Sequence, residues 1–414
     1  MIKKQNQYIE DVKKVHLNNI SVVDKYESAV KKLKHHCNIC EYEWSAQPNN
    51  ILNGTGCPKC SLSRSVREIV KHLQDDCGIN KSDIVLEYYD DECRNPSTGR
   101  RLPFDILIKS KKILIEFDGE HHYFPYTRSK KDTKESTEKE YQQIQKRDQI
   151  KSYFCMKNEF KLIRIPYFKK DVYVKKGILK KIIVNQTKQA ILLSGGLDST
   201  TLLYYLVKHY TNKNIVAVSL NYGQILDIEL EKAKATCKKL DIEHHVFDVS
   251  GAFAFLNSDS VPLLKRSKTK VPSNKKNDKN IPLTYVPNRN FIMLGILGAY
   301  CEARGDISSI YLGIQPHEEF DSYWDTTPAF LMNVNKGIDL SLSGLNIKAP
   351  FVEMSKTNIL KLGLELGVDY KDTWTCYNPQ TKNDKPVCCG ICPSCSERLA
   401  SFKKVGVVDP LEYV

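Results

Sequence analysis

Three groups of residues have types and spacings that could do chemistry. The first is Ser194, Gly195, Gly196, Leu197, Asp198, Ser199 and Thr200, between an apolar run ending at Leu193 and a second apolar run beyond. Two adjacent glycines let backbone N–H groups approach an anion without Cβ interference. A helix starting there adds its positive end and its free N–H groups, so the stretch reads as a phosphate cradle. Ser194, Ser199 and Thr200 can add hydroxyl donors. No Gly-Lys-Ser/Thr follows, so this is not a Walker A loop. The second group is cysteine: eight of the 14 cysteines fall into two clusters. Cys37, Cys40, Cys57 and Cys60 form two CxxC pairs sixteen residues apart, and Cys376, Cys389, Cys392 and Cys395 follow spacings of twelve, two and two. Four thiolates so spaced suit tetrahedral zinc in a reducing compartment. Cys388 competes with Cys389, which has the better knuckle spacing. His35 and His36 are read as surface residues flanking a site that four cysteines already complete. The third group is Asp105, Glu116, Asp118 and His122.

Those carboxylates need a scaffold. Leu102–Ile108 and Lys112–Gly119 read as strands joined by a short turn at Ser110 and Lys111. Glu116 and Asp118 alternate onto one face of the second strand. With Asp105 they could bind a hard cation such as Mg²⁺, with His122 as an acid–base or ligand group. A helix is expected over Ser65–Asp76, a basic helix over Tyr141–Lys157 and a strand over Lys161–Tyr167. Trp44 and Ile51 are expected to form a small core over the first zinc. The phosphate cradle needs a β–α alternation. Strands are expected in Asn214–Gln224, Glu243–Ser250 and Ile307–Ile314, and helices in Asp227–Leu240 and Phe291–Glu302. That order implies a parallel sheet with helices on both faces and ligands at the strand C-terminal ends. Polar residues cluster at those ends: Asn221, Tyr222 and Gln224; Asn288, Arg289 and Asn290; then His317, Glu319, Asp321, Tyr323 and Asp325; and Lys356. The polar stretch Ser258–Pro282 reads as a loop near the ligand.

The chain has 414 residues, 41% hydrophobic and 27% charged, with room for two or three domains. No apolar run has the length of a membrane span. The start, MIKKQNQYIEDVKK, has no signal-peptide core, which with the thiol usage points to the cytoplasm. Of the net charge of +13, residues 1–187 carry +11 (36 basic, 25 acidic), and residues 141–187 alone carry +9 (12 basic, 3 acidic). Such concentration suits DNA or RNA.

The SGGLDST string resembles the PP-loop of the ATP pyrophosphatase superfamily. With NYGQ, VPNRN, YWDTTPAF, APFVEMSK and the stretch from TCYN to CCGICPSC, it makes residues 190–405 resemble the 7-cyano-7-deazaguanine synthase (QueC) family. One departure stands out: where the family has D-x-x-G-Y-P-D, residues 319–325 read EFDSYWD, with Ser322 for glycine and Trp324 for proline. The resemblance implies a HUP-like α/β fold with a four-cysteine zinc knuckle. It implies ATP on Leu193 to Thr200, adenylation of a 7-deazaguanine carboxylate and displacement of AMP by ammonia. Asp198, Arg289, Lys356 and Asp325 then stand as catalytic candidates. Tyr222, Gln224, Asn288, Arg289 and Tyr323 stand as substrate-binding candidates. The first half resembles a zinc ribbon or treble clef joined to a very-short-patch-repair-like, restriction-endonuclease-like α+β domain. The carrying pieces are WSAQPNNILNGTGCPKC, LPFDILI, IEFDGEHHY and RDQIKSYF through KLIRIPY. On that resemblance Asp105, Glu116, Asp118 and His122 form the metal-binding catalytic core. Asp118 stands where that fold's E-x-K pattern has lysine, so hydrolysis is either absent or uses His122 or Lys151 instead.

The expected division is a zinc module over 1–64, an endonuclease-like domain over 65–170, a linker over 171–189 and a PP-loop domain over 190–414. The leading expectation is nitrile synthesis from 7-carboxy-7-deazaguanine and ammonia, with ATP and two zinc ions, fused to a nucleic-acid-binding module. Alternatives are coupling of a deazaguanine acid to a nucleic acid or protein in phage–host conflict, and a nuclease with a nucleotide-sensing C-terminal half. Assembly as a homodimer is left open.

Overall fold

The computed structural model describes residues 5–39, 41–57, 63–127, 133–224, 227–256, 261–264, 284–315, 323–339 and 341–414. Cys40, Cys60, His317, Glu319, Asp321, Ser322 and most of the 258–282 loop lie outside them. The chain forms two compact units, Met1–Val184 and Asn185–Val414.

The first unit opens with α1 (Gln5–His16), β1 (Ile20–Val22), β2 (Leu33–Cys37), β3 (Glu43–Ala46) and α2 (Pro48–Leu52). The three strands form an antiparallel sheet. Tyr8, Val12, Ile20, Tyr26, Leu33 and Ile51 form its core, with Trp44 packed alongside. Trp44 and Ile51 thus share one small core, the packing part of the expectation. His35 does not: it is fully buried, 2.8 Å from the Tyr8 hydroxyl. It alternates inward along β2 with Leu33 and Cys37, so strand periodicity overrides its polarity.

Next come α3 (Arg64–Asp75), β4 (Ile84–Arg94), β5 (Arg101–Ile108), β6 (Ile113–Asp118), α4 (Lys134–Lys157) and β7 (Lys161–Pro166). Strands β4 to β6 pair antiparallel and β7 pairs parallel to β6, with Asp118 opposite Pro166. The parallel pair needs a crossover, and α4 supplies it. This helix begins seven residues before Tyr141, where Thr133 and Ser136 form a reciprocal capping box. Phe104, Leu114, Phe154 and Leu162 join sheet and helix in one core. The stretch expected as a linker is folded: α5 (Lys170–Lys175) buries Tyr173, α6 (Ile178–Lys180) buries Leu179, and the π-helical turn Lys181–Asn185 buries Ile182 and Ile183. Its lysines mask an apolar stripe at helical spacing.

The second unit runs β8 (Lys188–Leu192), α7 (Leu197–His209), β9 (Ile215–Asn221), α8 (Ile228–Lys239), β10 (Glu243–Asp248), α9 (Arg289–Arg304), β11 (Ile307–Leu312), α10 (Pro328–Asp339), β12 (Asn346–Lys348), α11 (Lys356–Glu365), β13 (Gln380–Lys382), β14 (Lys385–Val387) and α12 (Pro393–Val405). The main sheet is parallel throughout, in the order β10-β9-β8-β11-β12. The expected α/β class holds. Right-handed crossovers in this order put helices on both faces. Leu193, Leu197, Leu202, Leu206 and Ala217 lie in the core between β8, β9 and α7. The order reverses beside β8, so a ligand crevice opens at its C-terminal end. Among the described residues no helix is long and apolar enough to cross a membrane.

Candidate active site

The turn after β8 is shaped by close approach. Gly195 has φ +84°, and a Cβ there would lie 2.1 Å from the Glu229 carbonyl oxygen on α8. No other residue fits that turn. Trp374 donates its N–H to the Gly195 carbonyl at 3.0 Å. Ser194 and Ser199 bind through their hydroxyls at 2.9 Å, and Gly196 N–H donates to Ser194 Oγ at 3.2 Å. The start of α7 therefore faces a cavity of about 250 Å³ whose wall includes Ser194, Gly196, Leu197, Asp198 and Ser199. Leu193 contributes to the same wall. Thr200, expected as a hydroxyl donor, is buried one turn into α7 and off that wall.

Lys356, first residue of α11, reaches the same cavity. Its Nζ lies 3.2 Å from Asp198 Oδ2 and 2.8 Å from Glu397 Oε2. Burial disfavours the ammonium, but the two carboxylates outweigh it and hold its pKa above the usual lysine range. The same wall includes Tyr222, Gln224, Glu229, Arg289 and Tyr377. The Arg289 guanidinium lies 5.9 Å from the Tyr222 ring centroid. Burial pushes the Glu229 carboxyl up to about 7, against the pull of Arg289. The cavity wall thus combines anion donors, the cations Lys356 and Arg289, and aromatic side chains.

The four C-terminal cysteines converge. The sulfurs of Cys376, Cys389, Cys392 and Cys395 all lie within 4.8 Å of one another, and Cys388 is not among them. Cys376 and Cys389 Sγ are 3.6 Å apart. Backbone N–H groups of Cys389 and Cys392 point at Cys376 and Cys389 Sγ, at 3.3 and 3.4 Å. Four buried, closely grouped thiols with N–H donors fit structural zinc. Cys388 instead joins its backbone to Glu412 and Val414.

Comparison with known proteins agrees with this geometry. The family model "Queuosine biosynthesis protein QueC" matches residues 188–406. The chain belongs to the QueC family. It is 37% identical over 227 residues to the 7-cyano-7-deazaguanine synthase of Caldicellulosiruptor bescii, covering 55% of this chain and 97% of that one. The corresponding enzyme of Methanospirillum hungatei is 36% identical over 231 residues, 55% of this chain and 99% of its own. Membership makes the C-terminal unit an ATP-dependent carbon–nitrogen ligase. A second model, "Probable Treble clef zinc finger domain", matches residues 18–63. Within that match Cys37 and Cys57 are buried in the described structure.

Asp325, Tyr323 and Asn288, expected at the site, are not part of the cavity wall. Asp325 is buried and accepts the Asn290 N–H at 3.2 Å, so it fastens the start of α9 and with it Arg289. Tyr323 exchanges a hydrogen bond with Thr284 at 2.9 Å. Asn288 is the exposed, left-handed residue before α9, with φ 54°. Gln224 reaches the wall while its Oε1 accepts from Tyr222 N–H at 2.9 Å. Trp324 Nε1 donates to the Tyr285 hydroxyl at 3.1 Å. Glu229, Tyr377 and Glu397 were not read from the sequence. Glu229 had a usable signal, since it opens an amphipathic helix just after a strand-end loop.

In the first unit each expected acidic or histidine side chain is engaged by its own partner, and among the described residues these groups do not come close enough together to share one metal ion. Asp105 Oδ2 accepts the Phe117 N–H at 2.7 Å across the β5–β6 pair. Both Glu116 oxygens lie 2.9 Å from Lys151 Nζ. Asp118 Oδ1 lies 2.8 Å from Arg164 Nη1, and His122 Nδ1 lies 2.8 Å from Asp148 Oδ2. Burial pushes Glu116 up to about 7 although Lys151 draws it down. Asp148 and Lys151 share a face of α4 because they are three residues apart.

Proposed function

We propose that the C-terminal unit converts 7-carboxy-7-deazaguanine and ammonia to 7-cyano-7-deazaguanine. The observation that carries this reading is one cavity lined by Ser194, Gly196 and Lys356 together with Tyr222, Arg289 and Glu229. A carboxylate oxygen attacks the α-phosphorus of ATP, and pyrophosphate leaves. Ammonia attacks the acyl carbon, and AMP leaves with the carboxylate oxygen, giving the amide. The amide oxygen is adenylated by a second ATP, and loss of AMP and the N–H protons gives the nitrile. Ser194, Gly196 and the start of α7 hold the phosphates, and Lys356 balances their charge. Arg289 meets the substrate carboxylate. Incubation with the acid, ATP and ammonium, read by mass spectrometry, should give the nitrile with two AMP and two pyrophosphate per product. Release of ADP, or no product, would overturn the proposal.

A second reading concerns the N-terminal unit: a zinc module to residue 64 followed by an endonuclease-like domain over 65–170 that binds DNA or RNA. Two features support it. The β6 carboxylates Glu116 and Asp118 are buried against Lys151 and Arg164, with Asp105 of β5 held by the Phe117 N–H beside them. Beside it, Phe124, Tyr126, Tyr167 and Phe168 are exposed, and Tyr123 and Tyr167 pack edge-on against Phe168 at 5.3 Å. Exposed rings in a basic unit suit stacking against unpaired bases. The full chain should bind single-stranded DNA with an affinity that falls steeply with salt. No binding at low salt would remove this reading.

A further inference from the structure

We propose that Glu397 is a positioning residue that holds Lys356 against the phosphates, and that it makes the zinc knuckle part of the ATP site. The inference rests on the ATP reading above. Cys392 is the N-cap of α12 and Cys395 lies in its first turn. Glu397 follows two residues later, so the metal that fixes those sulfurs also fixes its carboxylate. One oxygen lies 2.8 Å from Lys356 Nζ, and the other accepts from Gln315 Nε2 at 3.3 Å. Gln315 lies in the loop after β11, and both residues line the cavity. Lys356 in turn reaches Asp198 at 3.2 Å.

A second tie runs from the same knuckle to the same loop. Trp374 donates its indole N–H to the Cys376 carbonyl at 3.0 Å and its backbone N–H to the Gly195 carbonyl at 3.0 Å. The cradle is thus held at Gly195 through Trp374 and at Asp198 through Lys356. Both holds lead back to zinc ligands. A lysine has a long flexible stem. Without Glu397 its ammonium would be left with the Asp198 carboxylate and would swing off the phosphate path.

The sign separates positioning from simple charge. If Glu397 acted only as an anion near the phosphates, removing it would tighten ATP. A positioning role predicts the opposite, and predicts that an isosteric acceptor suffices. Glu397→Leu should weaken ATP binding about tenfold, the lower end for a lost charge-assisted hydrogen bond. Glu397→Gln should stay within about threefold of wild type. The KM for ATP should rise in Glu397→Leu while the KM for the deazaguanine acid holds, and bound zinc should stay at the wild-type level. Chelating the C-terminal zinc should weaken ATP to a similar extent with the far-UV circular dichroism intact. ATP binding in Glu397→Leu as tight as wild type, an equal rise in both KM values, or loss of zinc from that variant would overturn the proposal. Wild-type protein that bound no ATP would instead refute the function proposed above.

Discussion

Gly195→Ala isolates what the cradle demands of its backbone. At φ +84° an L-residue gives up about 1–2 kcal/mol. The new methyl would also start 2.1 Å from the Glu229 carbonyl and 3.0 Å from the Ala233 nitrogen, both backbone atoms of α8. Neither can turn aside as a side chain would, so α8 or the loop must shift, at a further cost of about 1–3 kcal/mol. The sum is about 2–5 kcal/mol. For a unit of this size each kcal/mol is about 2–4 °C of melting temperature, so the loss is at least about 4 °C. Gly196 makes the contrast. Its φ is −78°, and a Cβ there meets Ser194 Oγ at 3.3 Å as its nearest neighbour. Gly196→Ala should therefore cost under about 1 kcal/mol in stability. Its methyl stands on the cavity wall, so ATP affinity should fall by about tenfold or more. Calorimetry can follow the transition that ATP raises, because a ligand stabilises the unit that binds it. If Gly195→Ala melts within about 2 °C of wild type, or Gly196→Ala is the less stable of the two, the geometric argument fails.

Cys392→Ser should lose one equivalent of zinc by elemental analysis and lower the melting temperature of the C-terminal transition, because a four-thiolate site closes only with all its ligands. Arg164→Met should destabilise the N-terminal unit by about 3–5 kcal/mol in urea unfolding, since Asp118 and Asp148 would lose the guanidinium they share. Glu243 is held down to about 2 by hydrogen bonds from Arg304, His245 and Lys188, despite partial burial. Its folded pKa lies below its unfolded value, so its stabilisation is present above about 4.5 and is lost as pH falls through about 2. Wild type and Glu243→Gln should then differ in melting temperature at pH 7 and converge near pH 2, and parallel curves would contradict the pairing.

What could be read from the sequence was what is local in it. The SGGLDST turn, the C-terminal cysteine spacing and the β–α order each lie within a short stretch, and each reappears in the structure. Glu397 and Trp374 could not be read, because their partners Lys356 and Gly195 are 41 and 179 positions away in number and only packing brings them close. His35 was misjudged for a related reason: its type says surface, while its parity along β2 says core.

The polar residues at the strand ends show where such reading runs out. Arg289, Asp325, Asn288 and Tyr323 are all polar residues of one region, and their types and spacing alone do not say which of them face a ligand. In the structure they have separate tasks. Arg289 meets the cavity, Asp325 fastens the turn that aims it, Tyr323 ties to Thr284, and Asn288 supplies a left-handed residue before the helix. A buried carboxylate can serve by touching a ligand or by accepting a backbone N–H behind the group that does. Composition is the same in both cases, and only the distance to Asn290 assigns Asp325 to the second. The same distinction governs Glu397, whose place between Lys356 and Gln315 makes the cradle depend on a helix that begins at a zinc ligand.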